Sequence, residues 1–418
     1  MAGDQTIPIT FQCVHCGSPI PVHALGQSMT FVCPSCKSIV QEDNDGYKVL
    51  VNANQSVSFI SLLELGKKFT FGGQRWQAIG FMVRFNDAER FHWSEYLLFN
   101  PYEGYRFLVE SDGHWTFMEL TRRIPKNMRL SGRPRVSWMG RTYTQFYTGK
   151  ARVGFVLGEF YWRVKVGDTI DVQDFIAPPA MLSLETSLDE VMWTSGVYVD
   201  KAEIQKCFGI QTMPRQSRIG SNQPSSYKLL PKLVKSWAFL ALILTLIQCC
   251  FVVISTNTRL FNKAISFPNG KGVFKTDSFE MPNANSNLQL DLSASVVDSW
   301  VDIIGTVVPE HNQEAAFAFQ RELSLYSDGE GGYEGDRQAS LFFPQMKKGP
   351  YHIEFDLEKE NKGGSPNSLT VSGILNPPTQ LPFWICLSLL SLFPLLYWLA
   401  AILEEKNRWL SSNVEVVT

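Results

Sequence analysis

The sequence lacks the features that mark most soluble enzymes and nucleic-acid binders. Lys and Arg number 38 against 40 Asp and Glu, a net charge of -2, so no broad basic field exists to attract nucleic acid. Nucleic acid is therefore not favoured as a partner. No GxSxG, HExxH, P-loop or GxGxxG pattern occurs, which removes the common hydrolase, metalloprotease and phosphate-cradling signatures. The first thirty residues carry polar Asp4, Gln5, Gln12 and His15 and no apolar run of signal-peptide type, so the N-terminus is expected in the cytosol. Cysteine is scarce, eight in 418 residues: four lie near the N-terminus, Cys249, Cys250 and Cys386 lie in apolar segments, and Cys207 stands alone. That distribution gives no disulfide framework. The length suits two to four domains.

What is present begins with Cys13, Cys16, Cys33 and Cys36, a CxxC, sixteen residues, and a second CxxC. Two such pairs form tight knuckles whose thiolates converge on one tetrahedral metal, and the spacing predicts a structural zinc ribbon over residues 1–50. Gly17 suits the turn after the first knuckle, and Pro34 stiffens the second. A redox CxxC wants a thioredoxin-like βαβ context, which is absent. Four thiolates fill the shell, so His15 is read as a bystander. A unit this small has little core of its own, and the metal is expected to supply most of its stability.

Two uncharged apolar runs follow, Trp237 to Ile254 and Leu381 to Leu403, each long enough for a transmembrane helix. Lys232, Lys235 and Arg259 flank the first, and Glu404, Glu405 and Lys406 end the second. Pro394 is expected to kink the second helix. Gln248 falls mid-span, where an unpaired amide is costly, and is expected to face the second helix or another subunit. A thiolate site belongs in a reducing compartment, and the stretch between the runs contains no cysteine. Both termini are accordingly expected in the cytosol, with residues 256–380 extracytoplasmic and the 404–418 tail inside.

Residues 60–209 read as a β-rich cytosolic module, a barrel or pair of packed sheets, with strand-like runs at 75–85, 96–99, 105–109, 115–120, 154–157 and 160–166. A capping pattern of Asp200 and Glu203 predicts a closing helix that ends at Gly209. Residues 210–235, with Pro214, Pro224 and several serines, read as a flexible tether spanning roughly 20–25 Å. The aromatic set of Trp76, Phe91, Trp93, Tyr96, Trp115, Trp138, Tyr161, Trp162 and Trp193 reads chiefly as core, with a ligand pocket as the alternative. Polar candidates are His92, Glu95, Arg106, Glu110, His114, Glu159 and Glu185, from which His92, Trp93, Glu95 and Glu185 form a candidate pocket. Residues three apart on a regular strand face opposite sides, which argues against His92 and Glu95 converging.

Between the apolar runs, the alternation Leu288, Leu290, Leu292, Ala294, Val296 and then Ile353, Phe355, Leu357 is strand periodicity on half-buried sheets. With frequent glycine turns it predicts a jelly-roll-like β-sandwich. In the acidic loop Ser327 to Asp336, the oxygens of Asp328, Glu330, Glu334 and Asp336 suit calcium, although the EF-hand order is missing and a solvated hairpin is the main reading.

The motifs Leu63 to Phe99 (LxxGxxF, WxxxG, WxEYLLF), Gly158 to Asp168, Leu182 to Glu185 and Ser195 to Val199 resemble a bacterial family known as domain of unknown function 4178. The likeness continues in Asp298 to Val308, Glu322 to Asp336 and Lys347 to Glu358. That resemblance implies a bacterial inner membrane and a multi-protein system whose genes sit beside polyamine-synthesis homologues, with no assigned reaction. The resulting expectation is a membrane-anchored scaffold or sensor of an envelope or stress system, partnered by other membrane or cytosolic proteins and possible as a homo-oligomer. The alternative is an enzyme, a hydrolase or transferase, whose site lies in the aromatic β module.

Overall fold

The computed structural model describes residues 9–43, 46–51, 59–89, 91–128, 132–188, 190–255, 257–268, 270–311, 316–327, 332–360 and 366–414. The chain divides into two compact units, Met1–Leu229 with Leu396–Thr418, and Leu230–Leu395.

In the first unit, β1 (Ile9–Gln12) and β2 (Pro19–Val22) form a hairpin, and β3 (Thr30–Val32), β4 (Ile39–Asp43) and β5 (Gly46–Val51) join a large antiparallel sheet. Next come β6 (Lys68–Phe71), β7 (Gln74–Asn86), β8 (His92–Asn100), β9 (Gly104–Ser111), β10 (His114–Leu120), β11 (Lys126–Met128) and β12 (Arg135–Trp138). The set is completed by β13 (Arg141–Phe160), β14 (Thr169–Ala177), β15 (Ala180–Thr186) and β16 (Val191–Val199). Eight of these close into a barrel in the order β7-β8-β9-β10-β16-β15-β14-β13, and β13 returns to β7. Closure depends on β13, whose first half pairs with β14 and whose second half, Val153 to Gly158, pairs with β7.

At that seam Gly80 and Gly158 are register partners. Gly158 holds φ +86°, and a Cβ there would sit 2.1 Å from the Ile79 carbonyl oxygen. Only glycine lets the two backbones approach this closely.

The expected strand over 160–166 ends at Phe160, and the chain turns before β14. The sequence reading passed over the strands β14 to β16 because their mixed polar faces break the simple apolar alternation; half of those residues face the barrel interior.

The ribbon is not a free-standing domain. Strand β3 pairs with Gly158 to Phe160 of β13, and buried Glu159 accepts hydrogen bonds from the Ala24 amide (3.2 Å) and the Ser28 hydroxyl (2.9 Å). Ile20, Val22, Phe31 and Val40 form its own small core, and Ala24, Val32 and Ile39 join the barrel cluster with Ile79, Val156 and Phe160.

Helix α1 (Lys201–Phe208) forms as its caps dictate: the Asp200 carboxylate accepts from the Ala202 amide, and Gly209 ends it in the left-handed conformation. Its Ile204 and Phe208 pack with Phe69, Phe81, Tyr96, Leu108 and Trp115 on the outer face of the barrel wall.

In the second unit, α2 (Leu230–Ile254) precedes ten strands: β17 (Thr258–Ser266), β18 (Lys271–Lys275), β19 (Phe279–Met281), β20 (Ser286–Ala294) and β21 (Ser299–Pro309), then β22 (Phe317–Ser327), β23 (Tyr333–Asp336), β24 (Gln338–Met346), β25 (Gly349–Lys359) and β26 (Ser368–Leu375). They form a four-stranded sheet, β17-β26-β20-β24, and a larger one running β18-β25-β21-β22-β23. Both sheets bury one face: Leu288, Leu290, Leu292, Ile353, Phe355 and Leu357 are all sealed in a single apolar core.

Helix α3 (Leu381–Trp409) begins in the second unit and ends in the first. Helices α2 and α3 are both long and apolar enough to cross a membrane, and their apolar windows are unburied. The Gln248 side-chain amide donates to the Thr379 carbonyl (3.3 Å), so this mid-helix polar group is partnered.

Candidate functional site

Strand alternation in the barrel aims one set of side chains outward, under α1, and the other inward. The inward set does not fill the interior. A cavity of about 500 Å³ remains, walled by Trp93 and Glu95 of β8, Thr116 of β10, Asp174 of β14, Ser183 and Glu185 of β15, and Arg84 of β7. Cavities of this size hold small organic molecules.

The charges form a connected group. Arg84 Nη1 donates to Glu185 (2.8 Å), its Nε lies 3.4 Å from Glu95, and the Trp93 indole N–H donates to Glu95 (2.7 Å). Desolvation works against the buried Arg84 guanidinium, but the Glu185 and Glu95 carboxylates hold its pKa above the ordinary arginine value. Burial raises Glu95 in spite of the opposing pull of Arg84. Asp174 has no such cation: burial pushes it up to about 7, Glu185 and Glu95 add to the rise, and only the Ser183 hydroxyl opposes it. The interior therefore holds three carboxyl groups and one guanidinium, of which Glu95 and Glu185 flank Arg84.

Two further segments line the cavity. Residues 217–222 cross it, and Ser411 and Asn413 reach it from the C-terminal end of the chain. The 210–229 stretch is not the flexible tether expected from its composition. His114 joins the Tyr198 hydroxyl (3.0 Å) and the Ser217 carbonyl (3.2 Å), Gln216 donates to Tyr198 (3.1 Å), and buried Asn222 accepts from Thr116 (3.1 Å). Arg408, 1% exposed, fastens this strap by donating to the Gly220 (2.7 Å) and Ser221 (3.1 Å) carbonyls. Beyond it Ser412 donates to the Phe146 carbonyl (2.6 Å), Asn413 pairs with both backbone groups of Thr148, and Trp409 packs on Phe146 beneath Arg133. The buried Arg408 guanidinium holds the strap in place, since releasing it would leave Glu405 as its remaining acceptor.

Of the pocket residues named from the sequence, Trp93, Glu95 and Glu185 meet at this cavity. His92 does not; it lies on the opposite face of β8, against Phe59 and Phe85. His114 also lines the cavity, and burial lowers its pKa. Trp76, Tyr96 and Trp115 are outer core, as most aromatics were expected to be, whereas Phe91, Trp93, Tyr161 and Trp162 face the cavity. Arg84 and Asp174 were missed. An arginine in the apolar run of β7 was the available signal, because a charge there must be paired. In the acidic loop, Asp328 and Glu330 lie outside the described residues, and Glu334 and Asp336 are exposed on β23.

The four cysteines come together. All their sulfurs lie within 4.8 Å of one another, with Cys13–Cys36 and Cys16–Cys33 both 3.7 Å apart. The edge of a tetrahedral site with metal–sulfur bonds of roughly 2.3 Å is about 3.8 Å, so the donor set fits a metal ion. The knuckles are near copies: Gly17 and Lys37 each donate to the carbonyl of the first cysteine, and both have positive φ. The four sulfurs form no disulfide and could hold a metal ion between them.

Residues 64–201 match the family model described as Domain of unknown function (DUF4178). The matched segment runs from before β6 to the first residue of α1 and so contains every strand of the barrel wall; the strap and the C-terminal residues lie outside it. No curated protein matches the chain. Among solved structures, it is similar to the insecticidal delta-endotoxin Cry8Ea1 from Bacillus thuringiensis at 8% identity and TM-score 0.18, over 72% of this chain and 52% of that one. The chain thus spans about half of that toxin's length. It is also similar to a carbohydrate-binding module of the β-sandwich superfamily (6% identity, 61% and 98% covered, TM-score 0.14) and to Trypanosoma rangeli sialidase (8%, 68% and 64%, TM-score 0.14). At TM-scores this low the likeness does not extend to a shared fold.

Proposed function

We propose that the chain is a membrane-anchored sensor whose barrel receives a small ligand. The observation that carries this reading is the interior cavity of about 500 Å³, with a lid built from the segments flanking the two apolar helices in sequence. A ligand that touches residues 217–222 and Ser411 changes the contacts of the chain just before α2 and just after α3, which is how occupancy would reach the membrane helices. In this reading α2 and α3 span a bacterial inner membrane, the barrel and both termini are cytosolic, and the sandwich is extracytoplasmic. The four-cysteine site holds structural zinc, consistent with its all-thiolate donor set and a reducing compartment. Other proteins of the same membrane system, or a second copy of the chain, receive the signal.

Native mass spectrometry of the full chain released from detergent tests the sensor reading. A bound small molecule retained by the parent chain and lost from Ser183→Trp, which fills the cavity, is the expected result. Identical adduct-free masses for both, before and after incubation with a metabolite extract, would remove it. Elemental analysis of the same sample should give one zinc per chain.

A second reading, an enzyme, draws on Asp174: a carboxyl that titrates near neutrality beside Glu95 and Glu185 is suited to general acid–base work. Glu95→Ala and Glu185→Ala separate the two, because turnover of any substrate would collapse whereas a sensor would lose only binding.

A further inference from the structure

We propose that the barrel cavity is a site for an organic cation, an ammonium compound of single-ring size that sits between Asp174 and the Glu95–Arg84–Glu185 group with its hydrocarbon part against the cavity aromatics. This deepens the sensor reading and rests on it.

The argument starts from charge. The groups that act on Asp174 are Glu95 from β8, Glu185 and the Ser183 hydroxyl from β15, and the Tyr147 phenol from β13, while Arg84 from β7 lines the same cavity. Tyr161 follows β13 and faces Arg84 and Glu185. Arg84 is already shared by Glu185 and Glu95, which leaves Asp174 with no cationic partner among the described residues. The remaining charged lining groups, Asp112, Glu190 and Arg218, are exposed, and buried His114 is already bonded to Tyr198 and the strap. With three carboxyl groups and one guanidinium the interior is short of positive charge, and an empty cavity answers part of the deficit by protonating Asp174.

Shape and surface agree with that deficit. Trp93, Tyr161 and Trp162 present aromatic faces to the same space, and such faces attract ammonium groups in desolvated sites.

The binding step balances as an exchange. The Asp174 carboxylic acid releases its proton to solvent and the ammonium takes its place beside the carboxylate, with no bond formed to carbon. Binding should therefore release a proton at pH 6 and almost none at pH 8, and the affinity should be roughly tenfold tighter at pH 8 for a carboxyl titrating near 7.

Calorimetric titration of the full chain in detergent with three isosteric probes, benzylammonium, benzyl alcohol and benzoate, tests this. The expected result is binding of benzylammonium alone, with an apparent enthalpy that differs between phosphate and MES at pH 6 by about the difference in the two buffers' ionisation heats for one proton. Asp174→Asn, which removes a buried titratable group and should fold, is expected to weaken it at least tenfold and abolish its pH dependence. Equal or tighter binding of benzyl alcohol or benzoate would overturn the cation assignment and leave the sensor reading standing. Benzylammonium binding that Asp174→Asn leaves unchanged would also overturn it, and no binding of any probe removes both.

Discussion

The two β bodies of this chain bury their interiors in opposite ways. The sandwich core is aliphatic and aromatic, with buried Lys359 and His352 each hydrogen-bonded, and its alternation is clean enough that β20 switches between buried and half-exposed at every residue. The barrel seals its outer face under α1 with Tyr96, Trp115 and Phe208 and leaves its inner face polar, charged and incompletely filled. An interior that holds a charged triad against desolvation, where packed leucines would be more stable, is maintained at a cost in stability, in keeping with the ligand site proposed above. The sandwich core needs no such reading; it is packed for stability.

That contrast can be broken at several points. The largest effect should come from the sandwich: Phe355→Ala, at a fully buried position, is expected to destabilise the second unit by about 3–5 kcal/mol. Denaturant unfolding followed on that unit would measure it, and a loss below about 1 kcal/mol would mean that the core is looser than its burial implies. Close behind is the barrel seam. Gly158→Ala forces a Cβ into the Ile79 carbonyl from a positive φ, and a loss of about 3 kcal/mol or more is expected by thermal melting of the barrel.

The third effect reverses sign, and it separates the two interiors most sharply. The folded state raises the Asp174 pKa to about 7 from an ordinary aspartate value, so the native state holds a proton that the unfolded chain has released. Its contribution is fully present below about pH 4 and is lost as pH rises towards 7. Asp174→Asn should therefore raise stability at pH 8 by on the order of 2 kcal/mol, and leave pH 4 almost unchanged. The magnitude is set below the full linkage value because Asp174 is only partly buried. Melting curves across pH 4 to 8 decide it; no polar replacement in the sandwich core should gain stability this way.

The smallest effect concerns the cysteine knuckles, identical in design except that Gly17 faces Lys37 at the equivalent position. Lys37 holds φ 61°, so Lys37→Gly should stabilise the second knuckle by about 0.5 kcal/mol, seen as slower metal loss to a chelator. A faster loss would show that the hydrogen bond from Lys37 Nζ to the Pro34 carbonyl (2.7 Å) outweighs the backbone strain.

Much of the architecture was legible because its causes are local. Cysteine spacing brings four sulfurs together, Asp200 and Gly209 bound α1 at the residues expected, and the alternation around Leu288 to Ala294 marks a buried face. Parity along β8 argued against joining His92 to Glu95, yet the candidate pocket included both, and His92 lies against Phe59 and Phe85 instead. The strap misled the reading: a stretch rich in proline and serine has the composition of a tether, and its order comes from Arg408, 188 residues away from Gly220 in sequence. The fourth charge of the cavity was hidden for the same kind of reason, since nothing near Asp174 in sequence marks it as the carboxyl without a partner.

By itself, then, the sequence determined the cysteine cluster, the two apolar helices and the β character of both bodies, all set by spacing and periodicity within a few turns or strands of chain. Only the tertiary structure decided that the β module closes into a barrel with a hollow core. That closure rests on a single seam between β7 and β13, where two glycines separated by 78 positions let the backbones meet, and it alone brings Arg84, Glu95, Asp174 and Glu185 to one space. Pairing across such distances depends on how all eight strands share their hydrogen bonds, a property that no local pattern carries.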